Sequence, residues 1–180
     1  DALFEIARRY TDGEGVERDL RKAADWYEEA ARAGSAPAQY RLANFLEKGY
    51  GVQADVERAA LWYQRSAEQG NALAMHNLGV LFVSGALGGK QNFEQALGWF
   101  SRAADLGVKD SQVNLGIIYA QGMGVDVDQQ QAYKWLSIAS RGGDAEAGSM
   151  RDSLAAKMTP EEVARARGLA EAWKPGQLDT

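Results

Sequence analysis

Cysteine and histidine, the side chains most often used as nucleophiles, general bases and transition-metal ligands, are almost absent from this chain of 180 residues. Cysteine is absent, which excludes disulfide bonds, thiolate nucleophiles and cysteine-ligated zinc. The single histidine, His76, has only Asn77 and Asn44 as neighbouring candidates for further ligands, and amides are poor metal ligands. Glu28 and Glu29 are adjacent on a predicted helix, so they point in different directions, unlike the facing carboxylates of a glycosidase. We therefore predict no catalytic residues, no metal site and no cofactor, and interpret the chain as a binding protein.

A glycine-rich stretch that begins at Gly85, GALGGKQ, has the appearance of a phosphate-binding loop. The phosphate-loop pattern G-x-x-x-x-G-K-[ST] needs Gly where Ser84 stands and Ser or Thr where Gln91 stands. The pattern therefore fails at both ends, and a turn with one inserted residue explains the stretch better.

The charge distribution argues against nucleic acid as a partner. The formal net charge is −5, and acidic residues exceed basic residues in both halves of the chain, so no basic stripe is available to bind phosphates. The sequence also has no apolar run of about 20 residues, the length needed to cross a bilayer. We expect no membrane insertion by these residues.

A repeated sequence unit accounts for most of the chain. Trp followed by an aromatic residue or Leu recurs every 36 or 37 residues, small residues follow it, and the strings GEGV, GYGV and GMGV precede it in the same register. Because the tryptophans recur with the repeat, we expect them to lie in the core. The recurring pairs are Trp26-Tyr27, Trp62-Tyr63, Trp99-Phe100 and Trp135-Leu136.

Each unit has the pattern of two antiparallel helices. In the second unit, Ala38, Leu42, Ala43 and Leu46 form one apolar stripe, and small residues such as Ala43 allow two helices to approach closely. A polar residue suited to cap a helix N-terminus precedes the second helix of every unit. These caps are Asp19, Asp55, Asn92 and Asp128.

A helical hairpin of this size cannot bury its apolar face alone, so the units should stack into an all-α, right-handed α-solenoid. We predict four helix-turn-helix repeats, then C-terminal helices with a capping helix, in which Trp173 is either a lid or an exposed anchor, and finally a tail. The predicted ranges are 1–36, 37–72, 73–109 and 110–146 for the repeats, 147–175 for the C-terminal helices and cap, and 176–180 for the tail.

These units resemble the Sel1-like repeat, a relative of the tetratricopeptide repeat, over essentially residues 3–147. The third turn at 85–90, the phrase at 109–112 and the closing segment 154–175 are similar to the periplasmic Sel1 region of the PodJ family of alphaproteobacterial polar localisation factors. That resemblance implies a fragment of a single-pass inner-membrane protein, located in the periplasm, that organises a cell pole through protein partners near a peptidoglycan-binding segment. A cytoplasmic location is the alternative.

The first helices of such repeats line a concave face where partners bind. This face is predicted to be polar over repeats 1 and 2 and apolar over repeats 3 and 4, with asparagine amides able to hold the backbone of a bound peptide. The alternative is that packing between neighbouring repeats already buries the apolar residues. The candidate site residues are Tyr40, Arg41, Asn44, His76, Asn77, Val80, Val83, Val113, Asn114 and Ile117.

Two functions remain open at this point, since no nucleophile, base and orienting group can be assigned for a third, an enzyme such as a hydrolase. The first is a non-enzymatic scaffold that binds a peptide or helix of a partner protein on the concave face. The second is a module that binds peptidoglycan or another cell-wall component, which is less favoured because the aromatic residues are assigned to the core. Self-association is a further possibility, because residues 1–10 read as part of a helix whose apolar seam a second copy could cover.

Overall fold

Residues 2–176, which the computed structural model describes, form ten α-helices and no strand. Consecutive helices pack together as far as the ninth, and each hairpin packs on the next, so the predicted all-α solenoid is confirmed. The last helix, α10, returns to pack on α8. The helices are α1 Ala2–Asp12, α2 Leu20–Arg32, α3 Ala36–Lys48, α4 Val56–Glu68, α5 Ala72–Ser84, α6 Phe93–Asp105, α7 Lys109–Gln121, α8 Gln129–Arg141, α9 Ala145–Ala155 and α10 Pro160–Ala172.

The predicted polar caps start the second helix of every repeat. The side chains of Asp55, Asn92 and Asp128 each accept a hydrogen bond from the backbone N–H three residues later, and Asp19 accepts from the N–H groups two and three residues later. The first helix of repeat 2 ends at Gly49, whose φ of 72° is in the left-handed region that glycine adopts without steric cost.

The second glycine of the turn lies where two repeats meet. A Cβ atom on Gly51 would lie 2.3 Å from the carbonyl oxygen of Leu20, and one on Gly124 would lie 2.7 Å from the Cβ of Phe93. Only glycine therefore permits these turns to contact the start of the second helix in the preceding repeat. In the longer third turn, Gly88 has open space around it.

The second member of each aromatic pair forms the centre of the core. Tyr27, Tyr63, Phe100 and Leu136 are all 2 % exposed or less. The tryptophans match the prediction only in part, since Trp62 and Trp135 are buried whereas Trp26 and Trp99 are half-buried. An arginine one turn later covers part of the ring in two repeats: Arg65 lies 4.6 Å from the Trp62 ring centroid and Arg102 lies 4.7 Å from that of Trp99.

A capping helix closes the C-terminal end of the array, as predicted. Thr159 and Glu162 form the expected capping box at the start of α10. Beyond α10, the Trp173 ring packs edge-on against Trp135 with 6.2 Å between centroids, so Trp173 acts as a lid rather than as an exposed anchor. No helix within residues 2–176 has the length and apolar character that a bilayer crossing requires.

Candidate functional site

The closest helix packing in repeats 3 and 4 depends on glycine. A Cβ atom on Gly79 would lie 2.7 Å from Cε1 of Phe100, and one on Gly116 would lie 2.6 Å from Cγ of Leu136. The side chain of the second helix therefore packs directly against the backbone of the first helix. Repeat 2 has Ala43 at the matching position.

In repeat 2, a hydrogen-bonded network fills the space beside the core aromatic residue. The Tyr63 hydroxyl donates to Glu47 Oε2 over 2.7 Å and accepts from Asn77 Nδ2 over 3.0 Å. Burial of Tyr63, together with its hydrogen bond to Glu47, holds the pKa of the phenol well above its usual value. The phenol therefore stays protonated and remains a donor. This network uses one N–H of the Asn77 amide that the sequence suggested for a peptide.

Repeat 3 has apolar residues where repeat 2 has this network. One repeat further along the chain, Val83 replaces Glu47 and Phe100 replaces Tyr63, while Asn114 keeps the amide of Asn77. The space beside these residues is a partly open pocket of about 270 Å³. Its other lining residues are Val80, Ser84, Phe93, Ile117, Ile118 and Met123.

Asn114 supplies the polar group of this apolar pocket. Its amide forms no hydrogen bond with any of residues 2–176, in contrast to Asn77, which donates to Tyr63. Val80, at the edge of the pocket, is 41 % exposed. A pocket of this kind offers apolar contact area together with one amide that can donate and accept hydrogen bonds.

The apolar surface continues towards the C-terminal helices. Ile117 also lines a second recess, of about 460 Å³, which is formed by α7, the Leu136 side chain and α9. Glu146 and Lys157 bring charge to the rim of this recess. We call the two adjoining pockets, which run over α5, α7 and α9, the groove.

Some predicted site residues pack inside the fold instead of lining the groove. Val113 packs on the small core cluster of Leu136, Ala139 and Ala147, so the packing alternative applies to this residue. Tyr40 occupies the matching position of repeat 2, and its ring lies 5.9 Å from that of Tyr63. This helix position faces the second helix of its own repeat, and both side chains are half-buried there.

His76 links repeat 3 to repeat 4. Its Nδ1 lies 2.8 Å from Oγ of Ser111, and its ring lies 5.6 Å from that of Phe100. Burial lowers the pKa of His76, against a smaller opposing effect of the Asp110 charge. No set of three or more His, Cys, Asp or Glu side chains within the described part of the chain is arranged to hold a metal ion.

The concave face of repeats 1 and 2 is polar, and most of its polar groups have partners within the chain. The Asn44 amide donates to the backbone oxygen of Tyr40 over 2.9 Å, and Arg41 is exposed. Arg8 is ion-paired with three acidic side chains of its own repeat. They are Glu5, Asp12 and Glu14.

Solved structures of similar proteins include the following two. A Sel1 repeat protein from Oxalobacter formigenes is 32 % identical, with a TM-score of 0.81, and the match covers 98 % of this chain and 74 % of that one. A protective antigen of uropathogenic Escherichia coli, which displays the same repeat fold, is 29 % identical, with a TM-score of 0.80 over 94 % of this chain. The present chain spans 37 % of that antigen. No curated protein matches the sequence.

The family model of the Sel1 repeat matches four consecutive segments, residues 1–35, 36–71, 72–108 and 109–144. Proteins built from this repeat are generally scaffolds for protein interactions, and the repeat is typically non-catalytic. Four matched segments, the stacked hairpins and the similarity to solved Sel1 structures agree with one another, and the chain belongs to the Sel1 repeat family.

Proposed function

We propose that this chain is a non-enzymatic interaction scaffold whose groove binds an apolar helix or peptide segment of a partner protein. The observation that carries the proposal is the Asn114 amide, which has no partner among the described residues and lies in an otherwise apolar pocket. An amide in this position can pair with the backbone of a bound segment while its apolar side chains enter the pocket.

The comparison within the chain supports this assignment. Where repeat 2 joins Glu47, Tyr63 and Asn77 by hydrogen bonds, repeat 3 has open space beside Val83, Phe100 and Asn114. The same helical frame therefore yields a closed surface in one repeat and a pocket in the next.

The proposed partner presents two or three large apolar side chains on one face. Val80, Val83 and Ile117 offer no charge, so recognition within the groove depends on shape and apolar area. Glu146 and Lys157 at the far end then favour a partner with polar residues beyond its apolar anchors.

The location in the periplasm and the role at a cell pole are part of this proposal. Their support is the resemblance of the third turn and the closing segment to the PodJ family. Binding of peptidoglycan is the alternative, and no exposed aromatic platform in the groove favours it.

The test is affinity capture from periplasmic and membrane extract with the wild type and with Ile117→Arg. Leu61→Arg is the matched control, because Leu61 is 60 % exposed on α4 and does not line the groove. We expect one protein to be captured by the wild type and by Leu61→Arg but not by Ile117→Arg. Circular dichroism and the melting temperature should be the same for all three chains.

A partner captured equally by all three chains would place the binding surface outside the groove. A large drop in the melting temperature of Ile117→Arg would show that Ile117 is part of the core. Sedimentation of purified peptidoglycan with the wild type and with Ile117→Arg tests the alternative function. If both chains sediment with peptidoglycan and neither captures a protein, the function is binding to the cell wall.

A further inference from the structure

A polar pocket of about 340 Å³ lies between α8, α9 and α10 and shares no lining residue with the groove. Three arginines line it, Arg141, Arg151 and Arg167, together with the hydroxyl-bearing residues Tyr133 and Ser137. Basic residues are clustered here although the chain as a whole has a net charge of −5. The acidic residues of the lining are Asp152 and Glu171.

Ser137 gives the second, independent sign that the pocket holds a ligand. The residue is 8 % exposed, and its buried hydroxyl has no hydrogen-bond partner among the described residues. A buried hydroxyl without a partner is unfavourable, and native proteins contain few of them. Rotation of the Ser137 side chain towards the pocket would let an acceptor bound there supply the missing partner.

The three arginines differ in how far the chain already uses them. Arg141 donates to the backbone oxygen of Ala170 and so joins α8 to α10. Arg151 donates through Nε and Nη2 to Asp152, which compensates the charge of that carboxylate. Arg167 makes no ion pair or hydrogen bond with any of residues 2–176, so its whole guanidinium is available.

We propose that this pocket binds a phosphoryl group, either as inorganic phosphate or as part of a larger ligand. Guanidinium groups bind phosphate oxygens through paired, charge-assisted hydrogen bonds, and a phosphoryl group has enough oxygens to engage Arg167, Arg151 and the Ser137 hydroxyl together. Glu171 opposes binding by its charge and thereby sets the affinity below what the arginines alone would give.

The test is titration of the folded wild-type chain with inorganic phosphate, followed by calorimetry and amide NMR, at an ionic strength held constant with chloride. Arg167→Gln should weaken phosphate binding about tenfold, because it removes a charged hydrogen-bond donor. Arg165→Gln is the matched control: Arg165 is exposed on the same helix, does not line the pocket, and its change should leave the affinity unaltered.

Two further variants separate a site from a general charge effect. Glu171→Gln should tighten phosphate binding, since it removes the opposing charge. Ser137→Ala should weaken binding without lowering the melting temperature, because the hydroxyl that it removes has no hydrogen-bond partner within residues 2–176.

Three outcomes would overturn the proposal. The first is no saturable binding by the wild type below about 10 mM phosphate. The second is equal weakening in Arg165→Gln and Arg167→Gln, which would show an unspecific charge effect. The third is acetate binding as tightly as phosphate, which would assign the pocket to carboxylates. A larger phosphorylated ligand would be indicated if phenyl phosphate bound more tightly than inorganic phosphate at the same residues.

Discussion

Repeats 2 and 3 share one helical frame but differ in what lies beside the core aromatic residue. In repeat 2, the Tyr63 hydroxyl joins Glu47 to Asn77. In repeat 3, Phe100 has no hydroxyl, and a pocket of about 270 Å³ opens beside it. The difference shows that polar side chains close the surface beside the core aromatic residue in one repeat, whereas apolar side chains at the matching positions leave a pocket in the next.

The largest effect should come from filling the close contact that distinguishes repeat 3. Gly79→Ala places a Cβ atom against the Phe100 ring, and overpacking of this kind should lower the free energy of unfolding by about 1–3 kcal/mol. Gly98→Ala is the control, since Gly98 is also helical but has open space around it, and this change should raise stability by about 1 kcal/mol. Urea denaturation measures both. Equal changes in the free energy of unfolding for the two variants would mean that the Phe100 ring moves away from a Cβ atom at Gly79 without energetic cost.

A smaller loss is expected when the repeat 2 network is made to resemble repeat 3. Tyr63→Phe removes the hydroxyl that Glu47 and Asn77 share, which should cost about 1–2 kcal/mol of unfolding free energy. The mirror change, Phe100→Tyr, should alter stability by less than about 0.5 kcal/mol, because its hydroxyl enters the pocket near Asn114.

Phe100→Tyr should also weaken partner capture, since the added hydroxyl takes up pocket volume and gives Asn114 a partner. Chemical denaturation measures the stability of both variants, and the capture assay measures partner binding by Phe100→Tyr. If Tyr63→Phe proved as stable as the wild type, the network in repeat 2 would not be what separates the two repeats.

The smallest effect concerns pH and the junction of repeats 3 and 4. Burial depresses the folded-state pKa of His76 below its ordinary value of 6.5, so the unfolded chain takes up the proton first as pH falls. The stability that neutral His76 contributes is therefore complete above pH 6.5 and is lost as pH falls from there through the folded-state pKa. His76→Gln should flatten this part of the profile of unfolding free energy against pH. An unchanged profile would show that other groups cause it.

The sequence was sufficient to predict the fold because the signals of this fold are local. Caps such as Asp55 and turn glycines such as Gly49 act within a few residues, and the spacing of 36 or 37 residues fixes how the hairpins stack. The same spacing placed Val80, Val83 and Ile117 on one surface, and these three residues do line one pocket. Their role in binding remains a prediction.

Other features could not be predicted because they depend on contacts between distant residues and on helix rotation. The hydrogen bond from Asn77 to Tyr63 joins the first helix of one repeat to the second helix of the previous repeat, and no periodic sequence pattern specifies it. A modest rotation of α7 decides whether Val113 faces the groove or the core cluster with Leu136. No sequence pattern pointed to Ser137, because the lack of a hydrogen-bond partner for its buried hydroxyl depends on the residues that surround it in the folded structure.

The longer third turn has a consequence for how the array unfolds. At the junctions before and after it, Gly51 and Gly124 bring backbone against backbone. In the third turn, a Cβ atom on Gly88 or Gly89 would meet no atom within 4 Å, and the Leu87 side chain packs on the core. In a linear array, the coupling between neighbours determines cooperativity, so the weakest junction divides the molecule into separate folding units. The junction of repeats 2 and 3 should therefore depend on side chains instead of on turn glycines, namely on the core cluster that reaches from α1 into α5 and on the hydrogen bond from Asn77 to Tyr63.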